Sequence, residues 1–164
     1  MTTPAKRSGG LQSLVLSPEQ GDVLNTVGDV VRILAGSEQT AGSLAFFEVR
    51  TAPGAGPPLH IHAEEDEFFF VIEGLVKFSI EGKIHVCKPG SFIIAPRGSL
   101  HTFVNAGSTT LRMLVTVSPA RIDAAFRENA AMMARNPSAG IPEITEIFGR
   151  SGITFHGPPL DPAV

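Results

Sequence analysis

From Val30 to Val117 the chain is a succession of short β-branched and aromatic runs cut apart by turn residues. The runs are VVRIL, SLAFFEVRT, PPLHIH, DEFFFVI, LVKFSI, KIHVC, SFIIA, HTFVNA and TLRMLVTV. Between them fall pairs such as Glu73-Gly74, Glu81-Gly82 and Gly107-Ser108, and the triplet Lys88-Pro89-Gly90. With 17 glycines and 13 prolines spread along 164 residues, this is the punctuation of an all-β domain, and eight or nine strands at this spacing predict a sandwich or barrel. Glu81-Gly82 fits a two-residue hairpin, because a glycine there accepts the positive φ that such turns demand.

The pattern changes after residue 118. Ile122, Ala125, Phe126, Met132 and Met133 fall close to helical spacing, with Ser118-Pro119 as the expected helix start and Asn136-Pro137 as its stop. The methionines read as core packing or, alternatively, as part of a helix laid over an open barrel end. IPEITEIFGR predicts a second short helix, and GPPLDPAV an irregular tail. The expected organisation is an N-terminal segment over 1–28, a barrel over 29–118, and a helical segment with tail over 119–164 packed on the barrel as one domain. A net charge of −3 with 18% charged residues lacks the basic excess that nucleic acid requires. The single Cys87 rules out an internal disulfide, and no run has the length of a signal peptide core or membrane span. A soluble cytoplasmic protein with no membrane partner is expected.

Chemistry concentrates in HIHAEEDE, residues 60–67. Alternate strand residues share a face, so His60 and His62 point together while Ile61 points away. Glu67 opens the next strand, and His101 opens another after PRGSLH. Three imidazoles and a carboxylate arriving from strand beginnings suit one Fe, Mn, Ni, Cu or Zn ion better than Ca or Mg. Glu64, Glu65 and Asp66 read as solvated turn residues, with Glu64 or Glu65 as an alternative hydrogen-bond partner for a ligand imidazole. Asn105 is expected to bond backbone, His85 to face solvent opposite Ile84 and Val86 on the core side, and His156 to lack a partner.

The spacing carries a resemblance. Gly54, His60, His62, Glu67 and Gly74, followed by Gly90, Pro96, Gly98, His101 and Asn105, match both cupin motifs at all ten fixed positions. The chain therefore resembles the cupin superfamily, and PPLHIHAEEDEFFFVIEG with PRGSLHTFVN looks like the small cupins related to quercetin 2,3-dioxygenase. The resemblance implies a conical β-barrel of jelly-roll type, with one divalent transition metal held by His60, His62, Glu67 and His101. It also implies a homodimer, for which an exposed sheet edge is a physical reason.

By parity with Glu67, Phe69 and Val71 face inward, and by parity with His101 so does Phe103; Phe46 or Phe47 and Met113 or Leu114 complete the wall, with Phe47 and Met113 preferred. The chain has no Trp and no Tyr, so aromatic contact falls to Phe. Arg97 and Arg112 read as rim or surface. The resemblance favours a metal-dependent dioxygenase of a small aromatic or enolisable substrate, with Glu67 as ligand and possible proton acceptor. The alternatives are a non-catalytic small-molecule or metal-binding module and a Lewis-acid isomerase.

Overall fold

The alternating runs pair as expected into antiparallel ladders. The computed structural model describes residues 10–163. Residues 1–9 of the N-terminal segment and Val164 of the tail lie outside the described residues. In chain order the elements are β1 (Asp22–Asn25), β2 (Val30–Ala35), α1 (Ser37–Thr40), β3 (Ala45–Thr51), β4 (Pro58–His62), β5 (Asp66–Glu73) and β6 (Val76–Ile80). There follow β7 (Lys83–Cys87), β8 (Phe92–Ala95), β9 (Leu100–Asn105), β10 (Leu111–Ser118), α2 (Ile122–Arg135), α3 (Ile141–Arg150) and β11 (Ile153–Pro159). A six-stranded sheet runs β1-β2-β3-β10-β5-β8, and a five-stranded sheet runs β11-β4-β9-β6-β7. Strands consecutive in sequence thus alternate between sheets at several points, the hallmark of the jelly roll.

The inner faces of the two sheets meet over Phe47, Val49, Phe69, Val71, Phe78, Phe103, Met113 and Val115, all buried. Each buried Phe contributes roughly 1.5–3 kcal/mol by leaving water. Phe69 touches both Phe78 and Phe103 edge-on, at ring-centre distances of 4.9 and 6.0 Å. That contact ties the sheets together.

Glu81 and Gly82 form the expected two-residue hairpin between β6 and β7, both with positive φ, at 49° and 73°. Gly56 serves a different need: a Cβ there would meet the Phe103 carbonyl oxygen at 2.1 Å, so only glycine lets the β3–β4 connection cross β9 this closely. Gly28, at φ +86°, packs against Gly56 in turn, which fixes the β1–β2 turn against the barrel.

Several expectations change. Two strands escaped the sequence: β1 lies in the segment 1–28, and β11 takes in the Gly157–Pro159 stretch expected to be irregular. Each is the last strand of its sheet, where one partner suffices and the apolar pattern is correspondingly weak. Ser118-Pro119 does not start a helix. Ser118 is still paired with Asp66 in the sheet, and α2 begins at Ile122. Ile84 and Val86 do not face the core; they are 52% and 51% exposed because β7 is an edge strand lying beyond the opposing sheet. His85 beside them is also exposed. Helix α2 stops before Asn136-Pro137, and α3 covers the whole of IPEITEIFGR. Among the described residues, no helix is long and apolar enough to cross a membrane.

Candidate metal centre

Strand register brings the three imidazoles together. His60 and His62 project from the same side of β4, and His60 lies directly opposite His101 on β9. Glu67, the second residue of β5, reaches them from the other sheet. One ligand atom from each of the four lies within 4.8 Å of every other, and all four side chains are buried.

The outer nitrogen of every ring is committed. His60 Nδ1 bonds the Pro58 carbonyl oxygen at 2.7 Å, His101 Nδ1 the Ser99 carbonyl oxygen at 3.0 Å, and His62 Nδ1 a Glu65 carboxylate oxygen at 2.8 Å. Each acceptor can only receive a proton, so each ring carries its hydrogen on Nδ1 and, when neutral, turns the Nε2 lone pair inward. Glu67 Oε2 sits 3.0 Å from His101 Nε2 and 3.5 Å from His62 Nε2, and His62 Nε2 is buried with no hydrogen-bond partner. Lone pairs so crowded need a proton or a cation between them. Three imidazole nitrogens and one carboxylate oxygen suit a divalent transition metal and are too nitrogen-rich for Ca or Mg.

The electrostatics agree. Burial, followed by the neighbouring His101 and His62, pulls His60 down to about 3, which keeps it a neutral donor. Burial pushes Glu67 up, yet His62, His101 and His60 together outweigh it and hold the carboxyl at about 2, ionised. For His62, burial pushes down, but Glu67 and Glu65 prevail and raise it.

Glu65 overturns its main expectation, since it is 1% exposed and not solvated. One carboxylate oxygen holds His62; the other accepts the backbone N–H groups of Arg121 and Ile122, at 2.7 and 2.8 Å. A residue in the β4–β5 turn thus caps the first turn of α2, where backbone donors have no partner within the helix. Glu64 does remain at the surface, paired with Arg121, and Asp66 pairs with Arg97 at 2.6 Å. Arg112 bridges Glu73 and Glu48, so neither arginine enters the site. Asn105 bonds the carbonyl oxygens of Thr51 and Thr109, as expected of a backbone clamp. His156 lies on the surface, where it does have a partner in the Thr154 hydroxyl, at 2.8 Å.

The cluster opens on a cavity of about 610 Å³ of empty space including its mouth. Phe47, Phe69 and Phe103 line it, together with Val31, Val49 and Val115. Val71 and Met113 do not. They face inward and pair with each other across β5 and β10, but Val71 stands four residues beyond Glu67, roughly 13 Å along the strand, in the packed core below the cavity. Phe46 points outward. The alternative of a helix over the open barrel end holds for α2, but the sequence reading did not name the side chains that close the cavity: Ile122 and Phe126 from α2, Phe148 from α3, and Ile153 and Phe155 from β11. Phe47, Phe126, Phe148 and Phe155 form a chain of edge-to-face contacts with centres 5.4–5.9 Å apart, ending against His60. Ile122 and Phe126, one helical turn apart, were the available signal. Half-buried Met132 and Met133 pack elsewhere.

Fold and site define a two-sheet β-barrel with a buried cluster of three histidines and one glutamate opening on an aromatic cavity. Residues 47–117 match the cupin domain, and in this the chain resembles the small single-domain cupins. It is 24% identical over 141 residues to the tetracenomycin polyketide synthase protein TcmJ of Streptomyces glaucescens, covering 86% of this chain and 83% of that protein. It is 36% identical over 74 residues to germin-like protein 1 of Brassica napus, a match that spans 42% of this chain and only 36% of the germin-like protein. Among solved structures, KdgF from Halomonas superimposes with a TM-score of 0.61 at 22% identity, over 68% of this chain and 98% of that one.

Proposed function

We propose that this protein binds one divalent transition metal through His60, His62, Glu67 and His101 and is a dioxygenase of a small, enolisable, largely aromatic substrate. The observation that carries the reading is the opening of the cluster onto a cavity walled by phenylalanines. A flat apolar molecule gains by stacking on such walls, while its oxygens turn to the polar cluster. Similarity to a polyketide synthase protein over most of both chains supports a substrate rich in keto and enol oxygens. A redox-active metal held there would supply Lewis acidity towards those oxygens and the means to reduce dioxygen. Glu67 Oε1, which no imidazole engages, accepts the proton of the enol. The aromatic lid limits access of water to the reacting oxygens.

Oxygen uptake with a panel of flavonols and diketones, on protein loaded in turn with Fe, Mn, Ni, Cu and Zn, tests this. Uptake matching substrate loss with at least one metal is expected. Substrate loss without oxygen uptake would point instead to Lewis-acid isomerisation, and no loss with any metal to a binding module.

A homodimer belongs to the same proposal. Edge strand β8 presents Phe92 and Ile94, 60% and 49% exposed, next to Phe70 on β5. A second copy applying the same face about a two-fold axis would cover the apolar side chains and the unpaired strand edge together. Light scattering is expected to give a dimer mass that falls to the monomer in Phe92→Glu/Ile94→Glu; a monomeric wild type would end the proposal.

A further inference from the structure

A fourth ionisable side chain lines the cavity, beside three of the cluster's own. Asp29, in the β1–β2 turn, shares the wall with His60, His62 and Glu67, and apart from Thr26 every other lining residue is apolar. Asp29 is not part of the ligand cluster, and neither cupin motif includes it.

Its position is built with care. The backbone N–H of Thr26 donates to the Asp29 carbonyl oxygen at 3.0 Å, closing the turn. Gly28 is packed on Gly56, so the turn cannot lift from the barrel. The Thr51 hydroxyl donates to Asp29 Oδ1, and Thr51 is itself clamped by Asn105 through its carbonyl oxygen. Oδ2 has no hydrogen-bond partner among the described residues. No Lys or Arg lines the cavity to neutralise a carboxylate there. A half-buried carboxylate in an apolar cavity, with one neutral donor and no cation, is an arrangement that stability alone does not favour.

We propose that Asp29 is a second catalytic group of this cavity, a neutral carboxylic acid that donates its Oδ2 proton to a carbonyl oxygen of the bound substrate. This rests on the enolisable-substrate reading given above. In the step, the substrate's α C–H bond breaks and its proton passes to Glu67 Oε1. The electron pair moves into the new C=C bond, the carbonyl oxygen takes the Asp29 proton, and an enol results. No oxidant is consumed, and proton exchange with water resets both carboxyls. The ligand cluster alone supplies a base; Asp29 supplies the matching acid.

Burial, reinforced by the negative charge of Glu67 and only partly offset by the Thr51 hydroxyl, raises Asp29 to about 7. The ionisable groups facing it across the cavity are His60, His62 and Glu67; apart from the Thr51 hydroxyl, the faces of β2, β3, β10, α2, α3 and β11 that enclose it present apolar side chains. An acid raised in the folded state above its unfolded value adds stability that is complete below about pH 4 and is lost as the pH rises through about 7.

The test uses the full-length protein and its Asp29→Asn variant, metal-free for the titration and unfolding and metal-loaded for the exchange. Three measurements are made: carbon-13 NMR titration of the aspartate carboxyls, thermal unfolding at about pH 5 and about pH 8, and deuterium exchange at the α-carbon of α-hydroxyacetophenone in heavy water. The wild type is expected to show one carboxyl titrating near 7 that is missing from the variant. The variant is expected to gain in unfolding temperature relative to the wild type from the lower pH to the higher, and to exchange deuterium about 10²-fold more slowly or worse. Equal exchange rates, or an Asp29 that titrates in the ordinary carboxylate range, would overturn the assignment. A wild type that exchanges no deuterium would overturn the enolisable-substrate reading, and the acid role with it, whatever the titration shows.

Discussion

Replacing Glu65 with alanine is expected to lower stability by about 3–5 kcal/mol, a fall in unfolding temperature of roughly 10 °C. Three donors lose their acceptor at once: His62 Nδ1 and the backbone N–H groups of Arg121 and Ile122. All sit where water enters poorly, and a buried donor left unmatched costs far more than a matched pair contributes. The same change frees the His62 ring to turn, which is expected to weaken metal binding by about 10- to 100-fold. Glu65→Gln keeps an acceptor for the helix and is expected to recover much of the stability. Thermal unfolding of both variants with and without added metal checks this. An alanine variant melting within about 1 °C of the wild type would mean that the turn does not anchor α2.

The second large effect concerns the cluster itself. Added transition metal is expected to raise the unfolding temperature of the wild type, because a ligand that binds only the folded chain stabilises it by about 4 kcal/mol at a thousand times its dissociation constant. The His60→Ala/His101→Ala variant is expected to show no such rise. It removes facing partners on β4 and β9, leaving two donors on different sheets, His62 and Glu67. Because the variant also relieves crowding among buried polar groups, it is expected to stay folded without metal, and that separates loss of the site from loss of the fold. A metal-dependent rise that survives in the variant would place the binding elsewhere.

The barrel was legible because strand periodicity is local: every run from VVRIL to TLRMLVTV forms a strand, and parity placed His60, His62, Phe69 and Phe103 on the inner face. Parity speaks of side and not of depth, which is why Val71 and Met113 were assigned to a cavity that ends above them. Nor does it show whether a face has anything to pack on, hence the error at Ile84 and Val86. Glu65 was read as solvated because its partners, the first amides of α2, lie 56 and 57 residues away. Asp29 drew no attention for the same reason. Both are polar residues in turns, Glu65 buried and Asp29 half-buried only because distant segments close over them, and local pattern carries no record of that.

The central claim is that His60, His62, Glu67 and His101 hold a metal. Elemental analysis of protein purified without chelators and without nickel columns tests it most directly, with the His60→Ala/His101→Ala variant alongside. The account predicts close to one transition-metal ion per wild-type chain and none in the variant. A wild type that carries no metal and takes up no Fe, Mn, Ni, Cu or Zn when these are supplied would contradict it.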